Sequence, residues 1–567
     1  MNQGSARRVE RLCQAAAILL GILNAWTSRH AARSDTISYL DLASALLGGD
    51  FQALLNPYWS PLYPVLLSLL LGLVNPSPYW EFAVVHLTDL LIYLAALASF
   101  QFLLRQWIHS NRLRAEALAS QSRALLPQWT WAPLGYGLFL WSSLVLIWRS
   151  PGGTPDLLVA AVTYLAAGLV LRIGVGAASL ATFAALGLTL GLGCLAKAAV
   201  LPLAPVFLLT AGLAVHGRRG ALSGMAIAAT VFLVISGAYV AALSRSRQRL
   251  TFGDAGRLNY VWFVNGVVPF SYWQGGPPEA GIPRHPLRLT AGPPPIFEFA
   301  GPVPGTFPPW YDPAYWNEGL RVGFSPARQL RAVFANARIY FLLFWRQGGL
   351  LVGWITLMLL STGGWRDRLD LRGPVMLLAP AAAALAMYSL VHVEWRYVGA
   401  FVVLLWLGLF SAVRLPESEE TRRTAGRLAV AMVVLLGVEV LGLGVYGMAS
   451  TSRSLAHHPH WQVAAALGRL GVRPGDTVAI IGSGGDAYWA RLARVRIVAS
   501  IPPAGADYFW ASGEAVRRQS LDHFARAGAR AVVAEHVPAW APTTDWRRLL
   551  ERGDHWARRL PQPSGSP

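Results

Sequence analysis

The residues that could do chemistry gather in a few short stretches. Ser34-Asp35-Thr36-Ile37-Ser38-Tyr39-Leu40-Asp41-Leu42-Ala43 spaces Asp35, Tyr39 and Ala43 at i, i+4 and i+8, on one face of a helix. A carboxylate there can take a proton or cap the helix start, and the residues alone leave both open. Asp41 is a second acid on the segment and an alternative base. Thr154-Pro155-Asp156 opens an apolar run just after Arg149. Lys197 is the single lysine among 48 basic residues. A lone lysine in an apolar stretch points to a wanted ammonium, against the bland alternative of a snorkelling helix end. His392-Val393-Glu394-Trp395-Arg396-Tyr397 lies between two apolar runs, where charged residues line cavities or set topology. Asp156 and His392, with Asp35, have the donor types for a divalent metal ion, the one cofactor the sequence suggests. Glu439 and Asp89 fall inside apolar runs with no partner evident, and Cys13 and Cys194 have neither disulfide nor metal spacing.

Composition says what must hold these stretches in place. Of 567 residues, 54% are hydrophobic and 14% charged, against about 25% charged in soluble domains. A purely soluble protein and a disordered chain are excluded. Long apolar runs rather than alternation argue against an outer-membrane barrel. The remaining class is an all-α polytopic membrane protein in a lipid bilayer. Apolar runs at 12–27, 82–104, 134–149, 155–171, 180–196, 199–215, 222–243, 336–361, 374–391, 397–413 and 428–448 predict about eleven transmembrane helices. The net charge of +19 would suit nucleic acid. Many of the arginines instead sit in short loops, as topogenic charge does, and no nucleic-acid partner is expected.

Arg7, Arg8 and Arg11 place the N-terminus inside, and Leu12–Trp26 reads as an uncleaved first span because no small-residue cleavage site follows. Arginine-bearing loops at 105–131, 216–220, 366–372 and 414–427 fall on that same side. The opposite side receives residues 28–80, a loop at 244–330, the His392–Tyr397 turn and a tail from 451 onward. Pro61–Val74 is too short to span and reads as an interfacial helix. The 244–330 loop is rich in Pro, Gly, Trp and Tyr, which predicts an ordered lid or an interface-lying loop rather than a solvated linker. The tail predicts strands at Thr477–Ile481, Arg496–Ser500 and Ala531–Ala534 and a helix over Gly513–Ala527. Gly482, Gly484 and Gly485 follow a strand but do not form G-x-G-x-x-G, so a structural α/β unit is expected there.

The stretch Asn56-Pro57-Tyr58-Trp59-Ser60-Pro61-Leu62-Tyr63-Pro64 completes a pattern. An acid follows the first span, with a tyrosine one turn on. A proline- and aromatic-rich stretch and a short apolar helix then lead to the second span. This resembles the GT-C superfamily of polyprenyl-phosphate-sugar-dependent glycosyltransferases, closest to the branch of protein O-mannosyltransferases and lipid A aminoarabinose transferases. Thr154–Asp156, the Gly191–Pro202 run with Lys197, and Glu394-Trp395-Arg396-Tyr397 fit the same pattern. The likeness covers residues 10–215 well and the span order to 450 loosely. The 244–330 loop and the tail do not match the named subfamilies closely.

The resemblance implies a GT-C-like transmembrane domain over 1–450 and a soluble α/β domain over 451–567 on the outer face. It implies a multi-pass protein of the cytoplasmic (inner) membrane with its site facing the periplasm or exterior. The partners would be a polyprenyl-phosphate-sugar donor and a protein, glycolipid or polysaccharide acceptor. Asp35 would be the general base, and Lys197, Arg149 and Arg396 would meet the lipid phosphate. Tyr39, Asp41, Tyr58, Asp156, His392, Glu394 and Tyr397 would support the substrates. The competing reading is a transporter or flippase of lipid-linked saccharides, which would favour repeated halves and charges within the spans. Here the polar candidates gather mostly at one face.

Overall fold

The computed structural model describes residues 3–148, 152–215, 217–267, 273, 275, 278–290, 293–455, 458–550 and 553–561. Among them, seven helices are long and apolar enough to cross a membrane. They are Arg8–Thr27, Pro78–Ala119, Gln128–Ile147, Asp156–Gly174, Arg219–Ser246, Trp395–Ala412 and Glu419–Gly442. An eighth crossing results if the bent pair Pro326–Arg346 and Gly348–Leu360 counts as one. The protein is therefore a largely membrane-embedded, all-α bundle carrying a small C-terminal α/β region.

Where one straight span was expected over 336–361, the chain turns by 76° at Gln347. Gly348 and Gly349 follow at once, and a glycine pair is a common cause of such a kink. Three further expected spans are shorter helices, Leu180–Ala196, Ala198–Leu213 and Val375–Ser389. Lys197 ends the first of these in extended backbone, with φ −158° and ψ 127°. The Leu180–Ala196 helix meets the Arg218–Ser246 helix closely. A Cβ on Gly187 would lie 2.2 Å from the Ala228 carbonyl oxygen, so only glycine permits the approach.

Three of the arginine-bearing loops, 105–131, 366–372 and 414–427, meet at one end of the bundle. Arg123–Ala124 pairs antiparallel with Leu415–Pro416, and Asp370 binds Arg114 at 3.0 Å and Arg414 at 3.1 Å. The intramembrane acids also find partners. Asp89 accepts from Tyr63 Oη at 2.7 Å and from the Gly153 N–H at 2.8 Å. Glu439 accepts from Trp141 Nε1 and lies 4.0 Å from Arg346. Both acids are accounted for by structure.

At the other end stands a seven-stranded sheet. Its strands are β1 (Arg288–Thr290), β2 (Ile296–Glu298), β3 (Thr477–Ile481), β4 (Arg496–Ile501), β5 (Ala531–Ala534), β6 (Arg547–Arg548) and β7 (Trp556–Arg559). Their order is β1-β2-β4-β3-β5-β7-β6, with β3 parallel to both β4 and β5. The three parallel strands read as apolar runs because both faces are buried. The expected tail strands and helix are all present. The 244–330 loop departs from expectation by joining the sheet, with Phe297 opposite Ser500 and Glu298 opposite Ala499. It also forms a helix at Ala255–Phe263.

Two buried clusters bind the α/β region to the bundle. In one, Arg491 pairs with Asp41 at 2.9 Å and Glu81 at 2.6 Å. In the other, His30 stacks on His458 with ring centroids 4.1 Å apart, beside Tyr79. Burial lowers His458 to about 4, with nearby Arg29 acting in the same direction. Burial, His458, Arg29 and His86 lower His30 to about 3. Unfolded histidines titrate near ~6.5, so the unfolded chain binds more protons below that pH and stability falls with acidification. Thermal unfolding midpoints should drop by several degrees from pH 7 to pH 5. His458→Asn should flatten that dependence. Asparagine tolerates the left-handed backbone at this position, where φ is 44°. An unchanged slope in the variant would remove the pair from the explanation.

Candidate functional site

A cavity of about 510 Å³ opens where several helices end on the α/β side of the bundle. The Ser34–Leu47 helix brings Asp35 and Tyr39 to it. Asp156 comes from the start of its helix, and Lys197 from the break after Ala196. His392, Glu394, Arg396 and Tyr397 come from the turn into the Trp395–Ala412 helix, and Tyr58 from the proline-rich stretch. Residues more than 350 positions apart thus share one space, and Asp35, Asp156, Lys197, Glu394 and Arg396 do so from helix ends.

Arg396 is the hub. Its guanidinium lies 3.3 Å from Asp35 Oδ2, 3.2 Å from Asp156 Oδ2 and 2.6 Å from Glu394 Oε2. Lys197 Nζ donates to Asp156 Oδ1 at 2.6 Å and sits 3.6 Å from the centroid of the Tyr397 ring. Asp156 is 2% exposed, so two cations and short contacts are needed to keep it charged there. Burial raises the Glu394 carboxyl, but His392 and Arg396 outweigh it and hold the group below the usual carboxylate range. Burial and the neighbouring Asp35 push the Tyr58 phenol up, so it stays a protonated hydrogen-bond donor. Asp35 uses only Oδ2 in these contacts, and Oδ1 makes no hydrogen bond among the described residues. Tyr39 is buried against Trp59 and Tyr63.

Several expectations change. Asp41 does not line the cavity. It accepts from the Thr306 N–H at 2.7 Å, Thr306 Oγ1 at 2.8 Å and Arg491 at 2.9 Å, so both of its oxygens have structural work. Burial raises its carboxyl, with Arg491 and Thr306 opposing. Arg149 lies outside the described residues. Asp35, Asp156 and His392 do not assemble as a metal set. Arg396 sits between the two aspartates, while His392 faces Glu394 at 3.5 Å and stacks on Phe263 at 3.7 Å. Among the described residues no three His, Cys, Asp or Glu side chains group to hold an ion. At the glycine turn after β3, a Cβ on Gly484 would fall 2.3 Å from Phe307, and Glu535 accepts from the Ser483 N–H at 3.2 Å. The crevice where an open α/β sheet would take a ligand is filled by the protein itself.

The fold recurs in known structures. ArnT from Cupriavidus metallidurans in the apo state superposes with a TM-score of 0.53 at 14% identity, covering 98% of each chain. ArnT bound to undecaprenyl phosphate gives 0.52 at 15%, covering 96% of this chain and 97% of that one. This chain has the GT-C fold. No family model and no curated protein matches it. At such identity the likeness speaks to the GT-C fold alone, and the chemistry has to be argued from the cavity.

Sequence reasoning passed over several lining residues of this cavity, among them the polar side chains Arg33, Asn259 and Tyr388. Arg33 was one arginine among many, although its place two residues before Asp35 was a usable signal. Asn259 belongs to a loop helix that the sequence does not mark.

Proposed function

We propose that this protein transfers a sugar from a polyprenyl-phosphate donor to a hydroxyl acceptor, protein or glycan, at the outer face of the cytoplasmic membrane. The observation that carries the reading is the gathering of Asp35, Lys197 and Arg396 in one cavity of a chain with the GT-C fold. A volume of about 510 Å³ is in the range of small-ligand sites. A solved structure with this fold holds undecaprenyl phosphate, which makes that lipid the first donor carrier to test.

Charge and geometry support the following reaction. The acceptor oxygen attacks the anomeric carbon while the bond from that carbon to the phosphate oxygen breaks. Asp35 Oδ1 takes the hydroxyl proton as oxocarbenium character develops. The polyprenyl phosphate leaves with the bonding electron pair, and the anomeric configuration inverts. Lys197 and Arg396 meet the charge that grows on the leaving phosphate. Asp156 and Glu394 hold those two cations in place.

The same reading places the active cavity outside and the N-terminus inside. Counting the bent pair and the three shorter helices as crossings gives eleven passes. The cavity then opens on one side, and the arginine loops sit on the other.

The test is transfer of radiolabel from undecaprenyl-phosphate sugars by the purified full chain in liposomes supplied with cell-envelope extract. Transfer of any label supports the reading, provided Asp35→Asn loses it. Lys197→Met should slow turnover by about 10²–10³-fold. Equal turnover would remove the ammonium from the leaving-group role.

A further inference from the structure

The cavity's charges balance before any ligand arrives. Three carboxylates line it, Asp35, Asp156 and Glu394, against three permanent cations, Arg33, Lys197 and Arg396. Two of those cations are committed. Lys197 is bound to Asp156 at 2.6 Å, and Arg396 is shared among all three acids. Among the described residues, no carboxylate lies within the 4.0 Å reach of an ion pair with Arg33. A phosphodiester entering this space adds one negative charge. A cation already held by three carboxylates has less to offer that charge than one held by none.

The placement of Arg33 suits such a role. It directly precedes the Ser34–Leu47 helix that carries Asp35. Its N–H donates to Thr36 Oγ1 at 3.1 Å, and that hydroxyl donates to the Gly152 carbonyl at 2.8 Å. Thr36 is pressed against Gly153, where φ is +87° and a Cβ would fall 2.4 Å from Oγ1. The backbone of Arg33 is thereby fixed relative to Asp35. On its other side stands Tyr488 of the α/β region, whose hydroxyl donates to Asp486 at 2.9 Å and feels the charge of Arg33. The guanidinium is a planar fork that matches two phosphate oxygens at once.

We propose that Arg33 is a further ligand of the donor's phosphate, supplying the uncommitted positive charge that the lipid phosphate brings into demand. The proposal rests on the glycosyltransferase reading and names a residue of its donor site. It also explains why the cavity can hold a tight internal salt network and still accept an anion.

The experiment is equilibrium binding of undecaprenyl phosphate to the full chain in nanodiscs, with undecaprenol and inorganic phosphate as control ligands. The wild type should prefer the phosphorylated lipid over the alcohol. Arg33→Gln should weaken the phosphorylated lipid by about tenfold or more and leave undecaprenol unchanged. Arg33→Lys, which keeps the charge without the fork, should fall between. It also serves if the glutamine variant fails to fold. The wild-type affinity should fall with added salt more steeply than that of Arg33→Gln. Wild-type affinity in both variants, with Lys197→Met weakened, would overturn the role of Arg33 and leave the donor reading standing. No preference for the phosphorylated lipid in the wild type would count against the donor reading itself. Competition by inorganic phosphate at similar concentration would mean a bare anion site and overturn the lipid-donor assignment.

Discussion

Asp35→Asn should lower the rate of sugar transfer by about 10²–10⁴-fold and leave the protein folded and able to bind undecaprenyl phosphate. The substitution is nearly isosteric. An asparagine carbonyl can still accept from Arg396, whose guanidinium stands 3.3 Å from Asp35 Oδ2. What asparagine cannot do is accept the acceptor's proton. Arg396 also keeps its contacts to Asp156 at 3.2 Å and Glu394 at 2.6 Å, so the hub survives. The loss should therefore appear in kcat rather than in the lipid's Kd or in the thermal midpoint. Labelled-donor turnover, lipid binding and thermal unfolding on the same preparation separate the three. Wild-type turnover in Asp35→Asn would sink Asp35 as the base and turn attention to Asp156. Asp41 would not be the heir, because its oxygens are engaged by Thr306 and Arg491.

The fate of Asp41 shows what the sequence could have told. Asp35 and Asp41 are six residues apart, about 600° around a helix, so they point roughly 120° away from each other. Asp35 and Tyr39 share the cavity face by the i, i+4 rule, and Asp41 falls outside it. The other cavity residues that the sequence singled out, Asp156, Lys197, Glu394, Arg396 and Tyr397, all stand at helix ends, where a polar residue interrupts an apolar run. That interruption is a local signal, and a single sequence carries it.

The unread parts depend on partners far along the chain. Arg491 reaches Asp41 across 450 positions and Glu81 across 410. Nothing near Arg491 marks it among the other arginines. β1 and β2 are three-residue strands in a proline-rich loop. Their propensity is weak, and pairing with the tail sheet makes them strands. The number of crossings was legible only as apolar length. Lys197 and the Gln347 bend subdivide that length in ways that depend on packing.

Arg491→Met should destabilise the protein by about 3–5 kcal/mol, the range for removing one partner of a buried charge cluster. Arg491 is 12% exposed, and its two carboxylate partners are each 7% exposed. Its loss strands two buried acids at once. Ser44 Oγ, which accepts from Arg491 at 2.7 Å, loses its donor as well. The sign of the pH dependence identifies the cause. Burial already raises the Asp41 carboxyl, and Arg491 opposes that rise. Without the arginine the folded-state value moves further above the unfolded one. The penalty is then present at neutral pH and relieved as pH falls through that raised value. The thermal midpoints of wild type and Arg491→Met should therefore converge toward acid pH, and adding Asp41→Asn should recover part of the loss at pH 7. A constant gap across pH would assign the effect to lost packing instead. Because Asp41 shares its helix with Asp35, the same variant should also lose transfer at temperatures where it remains folded. That result would make the α/β region part of what holds Asp35 in place.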